Sequence, residues 1–274
     1  DESRLCAETR AIATAVDWPC QIFTLFRDKN LGCKEAVSGA LDWFFQQEEE
    51  GIVLEDDCLP SLDFFPFCQT LLAHHRNSAH VRHISGCNFQ GGITRGDASY
   101  YYSHLTHVWG WASWRRVWKD YDKHLAGYSE DEIFTRIETL FGDPLFAASW
   151  LELATSVKKR KLDTWDIQLA ITNMMHGGVG IIPNVNLISN IGFDSRATHT
   201  VDPNEKKNAL PLGDLREINH PTATTADIAA DVFTMLADFP TTGERRRKYN
   251  RLKYRLKRLA ARLGGPKSWR RAGT

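Results

Sequence analysis

Residues 51–68 read GIVLEDDCLPSLDFFPFC and combine a predicted strand with a cluster of acidic residues. The apolar run at 52–54 contains two β-branched residues and predicts a short buried strand. An acidic triplet follows at once, formed by Glu55, Asp56 and Asp57. Adjacent carboxylates repel one another, and a bound cation relieves that repulsion. The stretch therefore predicts a strand that ends in a metal site, although a solvated acidic turn would have the same sequence.

Outward from this stretch, helical and strand patterns alternate along the first part of the chain. Helices are predicted at 2–16, 34–47 and 61–76, and strands at 20–26, 52–54 and 81–85. Such alternation predicts an α/β fold with a mostly parallel sheet flanked by helices. Ligands of these folds bind beyond the carboxyl ends of the strands, which is where the acidic triplet lies.

The rest of the chain divides into three parts. Residues 96–122 are rich in aromatic side chains and look irregular, and the segments that follow predict helices and one strand. The predicted elements are helices at 130–141, 145–161 and 166–176 and a strand at 179–182. We expect a main domain over 1–202, a linker with an accessory segment over 203–243, and a basic amphipathic tail over 244–274. The helix or strand character of 226–237 stays open.

The overall charge is zero, but it is unevenly distributed. Thirteen of the 34 Lys and Arg residues lie between Arg245 and Thr274, where no acidic residue occurs. Leucines recur there at steps of three and four, which predicts a basic amphipathic helix over 244–263. Such a helix suits peripheral contact with an anionic membrane surface, or docking on the acidic body or on another chain. No base-reading module supports a nucleic-acid partner.

The composition also bears on the cellular compartment of the protein. No run reaches the roughly 18 apolar residues that a membrane span needs, and no signal peptide opens the chain. The six cysteines have no CxxC spacing, which argues against a zinc site and a disulfide framework. These features predict a cytoplasmic protein, and the membrane alternative for the tail predicts peripheral contact at the inner face of the membrane.

Several residues outside the acidic triplet are candidates for chemistry. Carboxylate oxygens favour Mg²⁺ or Mn²⁺. Asp166, at the start of a predicted helix, is a candidate general base, with Asp163 as the reserve or, like Thr164, as the cap of that helix. His199 is either a further metal ligand or a surface histidine. The aromatic turn of Trp109, Gly110 and Trp111 suits stacking on a sugar acceptor, or else packs in the core.

These motifs together resemble a known family. The segments GIVLEDDCLPSLDFFPFCQTLL (51–72), HVWGWASW (107–114) and TWDIQL (164–169) resemble the N-acetylglucosaminyltransferase I family and bacterial nucleotide-diphospho-sugar transferases. The resemblance implies a GT-A fold for 1–202, Mn²⁺ or Mg²⁺, a UDP- or GDP-sugar donor, and inversion at the anomeric carbon. This chain begins with the helix that follows the family's first strand, so we expect that strand to be missing.

The resemblance also implies a role for each site residue. Asp57 is the direct metal ligand, while Glu55 and Asp56 contact the nucleotide or position the metal. Asp166 is the catalytic base. We assign Asn30, Lys34 and Asn88 to nucleotide-sugar binding as well. The predicted function is sugar transfer to a hydroxyl of a saccharide or lipid-linked acceptor, as in polysaccharide biosynthesis. A sugar nucleotidylyltransferase and a non-catalytic carbohydrate-binding protein are the alternatives.

Overall fold

The computed structural model describes residues 2–193 and 209–239 and has an α/β architecture. Its helices are α1 (Glu2–Thr14), α2 (Gly32–Gln47), α3 (Phe64–His75), α4 (Arg115–Trp118), α5 (Glu130–Phe141), α6 (Pro144–Lys158), α7 (Asp166–Met175) and α8 (Ile228–Asp238). Its strands are β1 (Glu50–Val53), β2 (Cys58–Pro60), β3 (Val81–Ser85), β4 (Tyr100–Ser103), β5 (Trp111–Trp114), β6 (Val179–Pro183) and β7 (Ile188–Asn190). His199 and the basic tail lie outside the described residues.

The main sheet is mixed, which corrects the expectation of a mostly parallel one. Its five strands run in the order β1-β5-β3-β6-β4, and of the neighbouring pairs β3 and β6 alone are parallel. The correction comes from 96–122, which we expected to be irregular. This segment supplies β4 and β5, and β5 inserts antiparallel between β1 and β3. Its aromatic side chains suit a strand that is buried on both faces.

The segment 20–26, predicted as a strand, has no strand structure. Its apolar side chains are open to solvent: Ile22 is 46%, Phe23 70% and Phe26 48% exposed. A strand persists only when a neighbouring strand satisfies its backbone hydrogen bonds. Within the described residues none pairs with this segment, so the β-forming composition of 20–26 has no sheet to join.

The segment 209–239 packs on the body. Leu215, Ile218 and Ala226 lie against the core around the main sheet, and Met235 of α8 is buried with the helices α5, α6 and α7. The ambiguity at 226–237 is thus settled in favour of a helix. Within the described ranges, no helix combines the length and the apolar character that crossing a bilayer requires.

Candidate active site

The acidic triplet opens onto a cavity of about 1140 Å³. The loop after β1 carries the triplet, and α2, the start of α7 and the turn 190–192 after β7 form other parts of the wall. These elements are distant in sequence. They meet because β1 ends at Val53 and β2, which begins at Cys58, pairs with β7 at Asn190. The cavity therefore lies at the carboxyl end of β1, as the sequence predicts.

Within the triplet, Glu55 and Asp57 are half-buried while Asp56 is exposed. Side-chain ligand atoms of Glu55, Asp57 and Cys58 all lie within 4.8 Å of one another. The turn after β7 holds Asp57 in place, since the backbone N–H of Ile191 donates to the Asp57 carbonyl at 2.9 Å. Gly192 packs so closely that an added Cβ would lie 2.4 Å from Asp57 Oδ2.

The carboxylates around the cavity repel one another. The pKa of Glu55 is raised to about 7, first by burial and then by the negative charges of Asp57 and Asp166, although a hydrogen bond from the Trp165 side chain opposes the shift. The pKa of the Cys33 thiol is raised to about 11, again mainly by burial and then by Glu55. No Lys or Arg is among the described residues that line the cavity. The negative charge of the cavity is therefore uncompensated by the described side chains.

This donor set fits a hard divalent cation. Two carboxylates supply oxygen ligands, which Mg²⁺ and Mn²⁺ prefer. The third group, the Cys58 thiol, has its pKa raised to about 12, mainly by burial, and so it stays protonated near neutrality. A neutral thiol is a poor metal ligand because the thiolate is the binding form. The oxygen atoms of Glu55 and Asp57 would hold the ion.

Asp166 begins α7 and lines the same cavity. The hydroxyl of Thr164 donates to Asp166 Oδ1, and Trp165 between them is 2% exposed. The Thr164 hydroxyl therefore orients the Asp166 carboxylate at the cavity wall. Asp166 is also close enough to Glu55 to perturb that residue's pKa.

Asp163 has a different role from either of those expected. Its carboxylate accepts hydrogen bonds from the backbone N–H groups of Cys33 at 2.9 Å and Lys34 at 3.0 Å. It therefore caps the N-terminus of α2, across 130 positions of sequence, and not that of α7. Gly32 makes room for this contact, since a Cβ there would lie 2.6 Å from Asp163 Oδ2. The cap joins two walls of the cavity.

The aromatic turn is divided between the cavity and the core. Trp109 lines the cavity, whereas Trp111 is 1% exposed and stacks between His83 and Trp165. The prediction that Trp111 contacts an acceptor is therefore wrong, because β5 turns this side chain into the core. Gly110 does not line the cavity. It has φ +61°, and a Cβ there would lie 2.4 Å from Ile188.

The three residues assigned to nucleotide binding do not line the cavity. Asn30 accepts a hydrogen bond from the Gly32 N–H at 2.8 Å and so shapes the turn before α2. The backbone of Lys34 serves the cap from Asp163. Asn88 is 8% exposed and bonds Pro183 and Gln90. The side chains of Asn30 and Asn88 have structural contacts that explain these residue types without a ligand, whereas Lys34 contributes its backbone N–H.

Sequence reasoning missed part of the cavity. Asn190, Ile191 and Gly192 contribute to its wall, and the first turns of α2 contribute an apolar face through residues such as Val37 and Ala40. One signal was present: Asn190 and Gly192 form an Asn-x-Gly pattern like the one at 30–32. In both, the Asn side chain accepts a hydrogen bond from the Gly N–H at 2.8 Å.

Comparisons with known proteins add no identification. No family model matches the chain, and no curated protein does.

Proposed function

We propose that the protein is a metal-dependent glycosyltransferase that moves a sugar from a UDP- or GDP-linked donor to a hydroxyl of a saccharide or lipid-linked acceptor. One observation carries the proposal: four carboxylates, those of Glu55, Asp56, Asp57 and Asp166, line one cavity that has no described basic side chain. A cavity with this charge does not bind a diphosphate unless a cation intervenes. The sequence resemblance to nucleotide-diphospho-sugar transferases agrees with this chemistry.

Three of the four carboxylates have a role in this proposal. Asp57 and Glu55 would hold Mn²⁺ or Mg²⁺, which would neutralise the charge on the diphosphate leaving group. Asp166 accepts the proton of the attacking hydroxyl, and Thr164 keeps its carboxylate oriented for that purpose. Trp109 offers an aromatic face for a sugar ring. In this scheme the GT-A fold, the inverting stereochemistry and the transfer of a hexosyl or N-acetylhexosaminyl group are parts of the proposal.

Calorimetry with UDP and GDP, in the presence and absence of Mn²⁺, tests the proposal directly. We expect binding that requires the metal. Asp57→Ala should abolish it, because the direct ligand is lost. Asp166→Asn should bind the nucleotide normally and lose turnover, because the amide cannot take a proton. Metal-independent binding, or equal turnover by Asp166→Asn, would contradict the assigned roles.

Product analysis separates this function from the alternatives. A sugar nucleotidylyltransferase consumes a nucleoside triphosphate and releases pyrophosphate, whereas a glycosyltransferase releases the nucleoside diphosphate. A non-catalytic carbohydrate-binding protein releases neither. Release of UDP or GDP that depends on acceptor and on metal is the outcome we expect from incubation with a panel of nucleotide sugars.

The basic tail is proposed to bring this cavity to a membrane surface at the inner face. It is rich in Lys and Arg, which are attracted to anionic lipids by roughly 1 kcal/mol each near the surface. We expect removal of residues 244–274 to shift the protein from the membrane fraction to the soluble fraction. Unchanged partitioning, with vesicles of anionic lipid as the second measure, would instead favour docking of the tail on protein.

A further inference from the structure

We infer that the side-chain amide of Asn190 binds the ligand of the cavity, by donating a hydrogen bond to a phosphate oxygen of the nucleoside diphosphate. The inference rests on the proposed function and adds to it a residue that is not among the predicted site residues. Asn190 is the last residue of β7. It pairs with Cys58 of β2, and Cys58 directly follows Asp57 in the sequence. It lines the cavity together with Glu55 and Asp57.

The orientation of this amide is fixed by a local turn. Asn190 Oδ1 accepts a hydrogen bond from the Gly192 N–H at 2.8 Å. The turn therefore identifies which end of the amide is the oxygen. The other end is the nitrogen, Nδ2, which remains as the donor. The residue is 1% exposed, and its Nδ2 has no hydrogen-bond partner among the described residues.

Asn190 is alone in this respect among the described side chains of the cavity. Of the residues in the wall, no other described one has a buried side-chain polar atom that lacks a partner. The Thr164 hydroxyl is engaged by Asp166, and the Trp165 side chain by Glu55. A buried donor without a partner costs free energy, and a ligand oxygen would remove that cost.

The surrounding charge indicates which oxygen Asn190 binds. The neighbouring carboxylates accept hydrogen bonds but cannot donate them when ionised. A diphosphate that is held by a cation at Asp57 still has oxygens that require donors. The Asn190 amide, which the turn to Gly192 orients, suits an anionic oxygen because hydrogen bonds to ionised acceptors are the stronger kind.

Asn190→Asp tests this inference, because it keeps the Oδ1 acceptor for Gly192 and replaces the donor by a carboxylate. We expect binding of UDP or GDP in the presence of Mn²⁺ to weaken at least tenfold. Binding of Mn²⁺ alone, followed by its paramagnetic resonance signal, should stay within threefold or become tighter. Asn190→Ser serves as the second variant, since a serine hydroxyl preserves the turn but is too short to reach the same oxygen.

Asn173→Asp is the matched control. Asn173 is 4% exposed on α7, does not line the cavity, and accepts a hydrogen bond from Arg82 at 2.9 Å. A carboxylate there would pair with the guanidinium. We expect this variant to bind both Mn²⁺ and the nucleotide like the unmodified protein, so a general effect of a buried Asn→Asp change is separated from an effect at the cavity.

The outcomes separate this inference from the proposed function. If the unmodified protein shows no metal-dependent binding of UDP or GDP, the proposed function fails and the inference fails with it. If the unmodified protein binds and both Asn190 variants bind equally well, the inference alone is overturned. A loss of Mn²⁺ binding as large as the loss of nucleotide binding, or a failure of both variants to fold, would assign Asn190 to the metal site or to the fold and would also overturn it.

Discussion

Replacing Asp163 by alanine should lower the stability of the fold and weaken ligand binding in the cavity, because the Asp163 carboxylate caps α2 from a distant part of the chain. Its two oxygens accept from the N–H groups of Cys33 and Lys34 at 2.9 and 3.0 Å. Thr164 and Asp166 follow directly. The cap therefore ties the start of α2 to the segment that positions the proposed base.

The expected magnitude follows from these contacts. Loss of an N-cap side chain costs about 0.5–2 kcal/mol, and loss of a negative charge at a helix N-terminus costs about 0.3–1 kcal/mol more. Asp163 is exposed, so solvent screens the charge and the lower part of both ranges applies. We expect Asp163→Ala to lower the free energy of unfolding by about 1–1.5 kcal/mol. Asp163→Asn, which keeps one acceptor oxygen, should lose roughly half of that.

Urea denaturation followed by tryptophan fluorescence gives the stability, and calorimetry gives the Mn²⁺-dependent affinity for UDP or GDP. Ser129→Ala is the matched control. Ser129 caps α5 through a capping box with Glu132, remote from the cavity, so its loss should cost a similar stability and leave ligand binding unchanged. If Asp163→Ala lowers the free energy of unfolding by less than about 0.3 kcal/mol, well under the usual effect of a cap, Asp163 does not cap α2 across the chain. An equal loss of ligand binding in Ser129→Ala would refute the link to the cavity.

Two further predictions follow from close packing and from burial. Gly192→Ala should weaken Mn²⁺ binding about tenfold, because the new Cβ would lie 2.4 Å from Asp57 Oδ2; Gly39→Ala, whose Cβ meets only Arg27 at 3.5 Å, should leave it unchanged. Burial raises the pKa of Asp231 from 3.8 to about 7, so its contribution to stability is complete below about pH 4 and is lost as the pH rises through about 7. The free energy of unfolding of the unmodified protein, relative to that of Asp231→Asn, should therefore fall by about 4 kcal/mol between about pH 4 and about pH 7 when it is measured by urea titration. A difference between the two proteins that is independent of pH would contradict this.

Local sequence signals were sufficient for many elements. The helix at 130–141 is confirmed, and it has a capping box at Ser129 and a left-handed Gly142 at its ends. The strand 52–54 is confirmed to within two residues as β1, and the acidic triplet lies at its carboxyl end. These features depend on contacts within a few residues, which periodicity and capping express directly.

The errors occurred where a residue's role depends on a distant partner. The composition of 20–26 favours a strand, yet pairing requires a neighbour that composition cannot specify. Trp111 looked like part of an exposed turn, and its burial became evident only when β5 was placed between β1 and β3. Asp163 was predicted to cap the helix that follows it, but in the structure its carboxylate caps α2.

Local sequence patterns were enough to predict the α/β composition, the position of most helices, and the acidic triplet that we propose as a metal site. The tertiary structure set the mixed order of the sheet and formed the cavity that joins the triplet to Asp166. It also placed Asn190 opposite Cys58, by pairing β7 with β2. The physical reason is that a carboxylate or an amide acquires a function from the groups a few ångströms away, and here those groups come from segments more than a hundred residues apart.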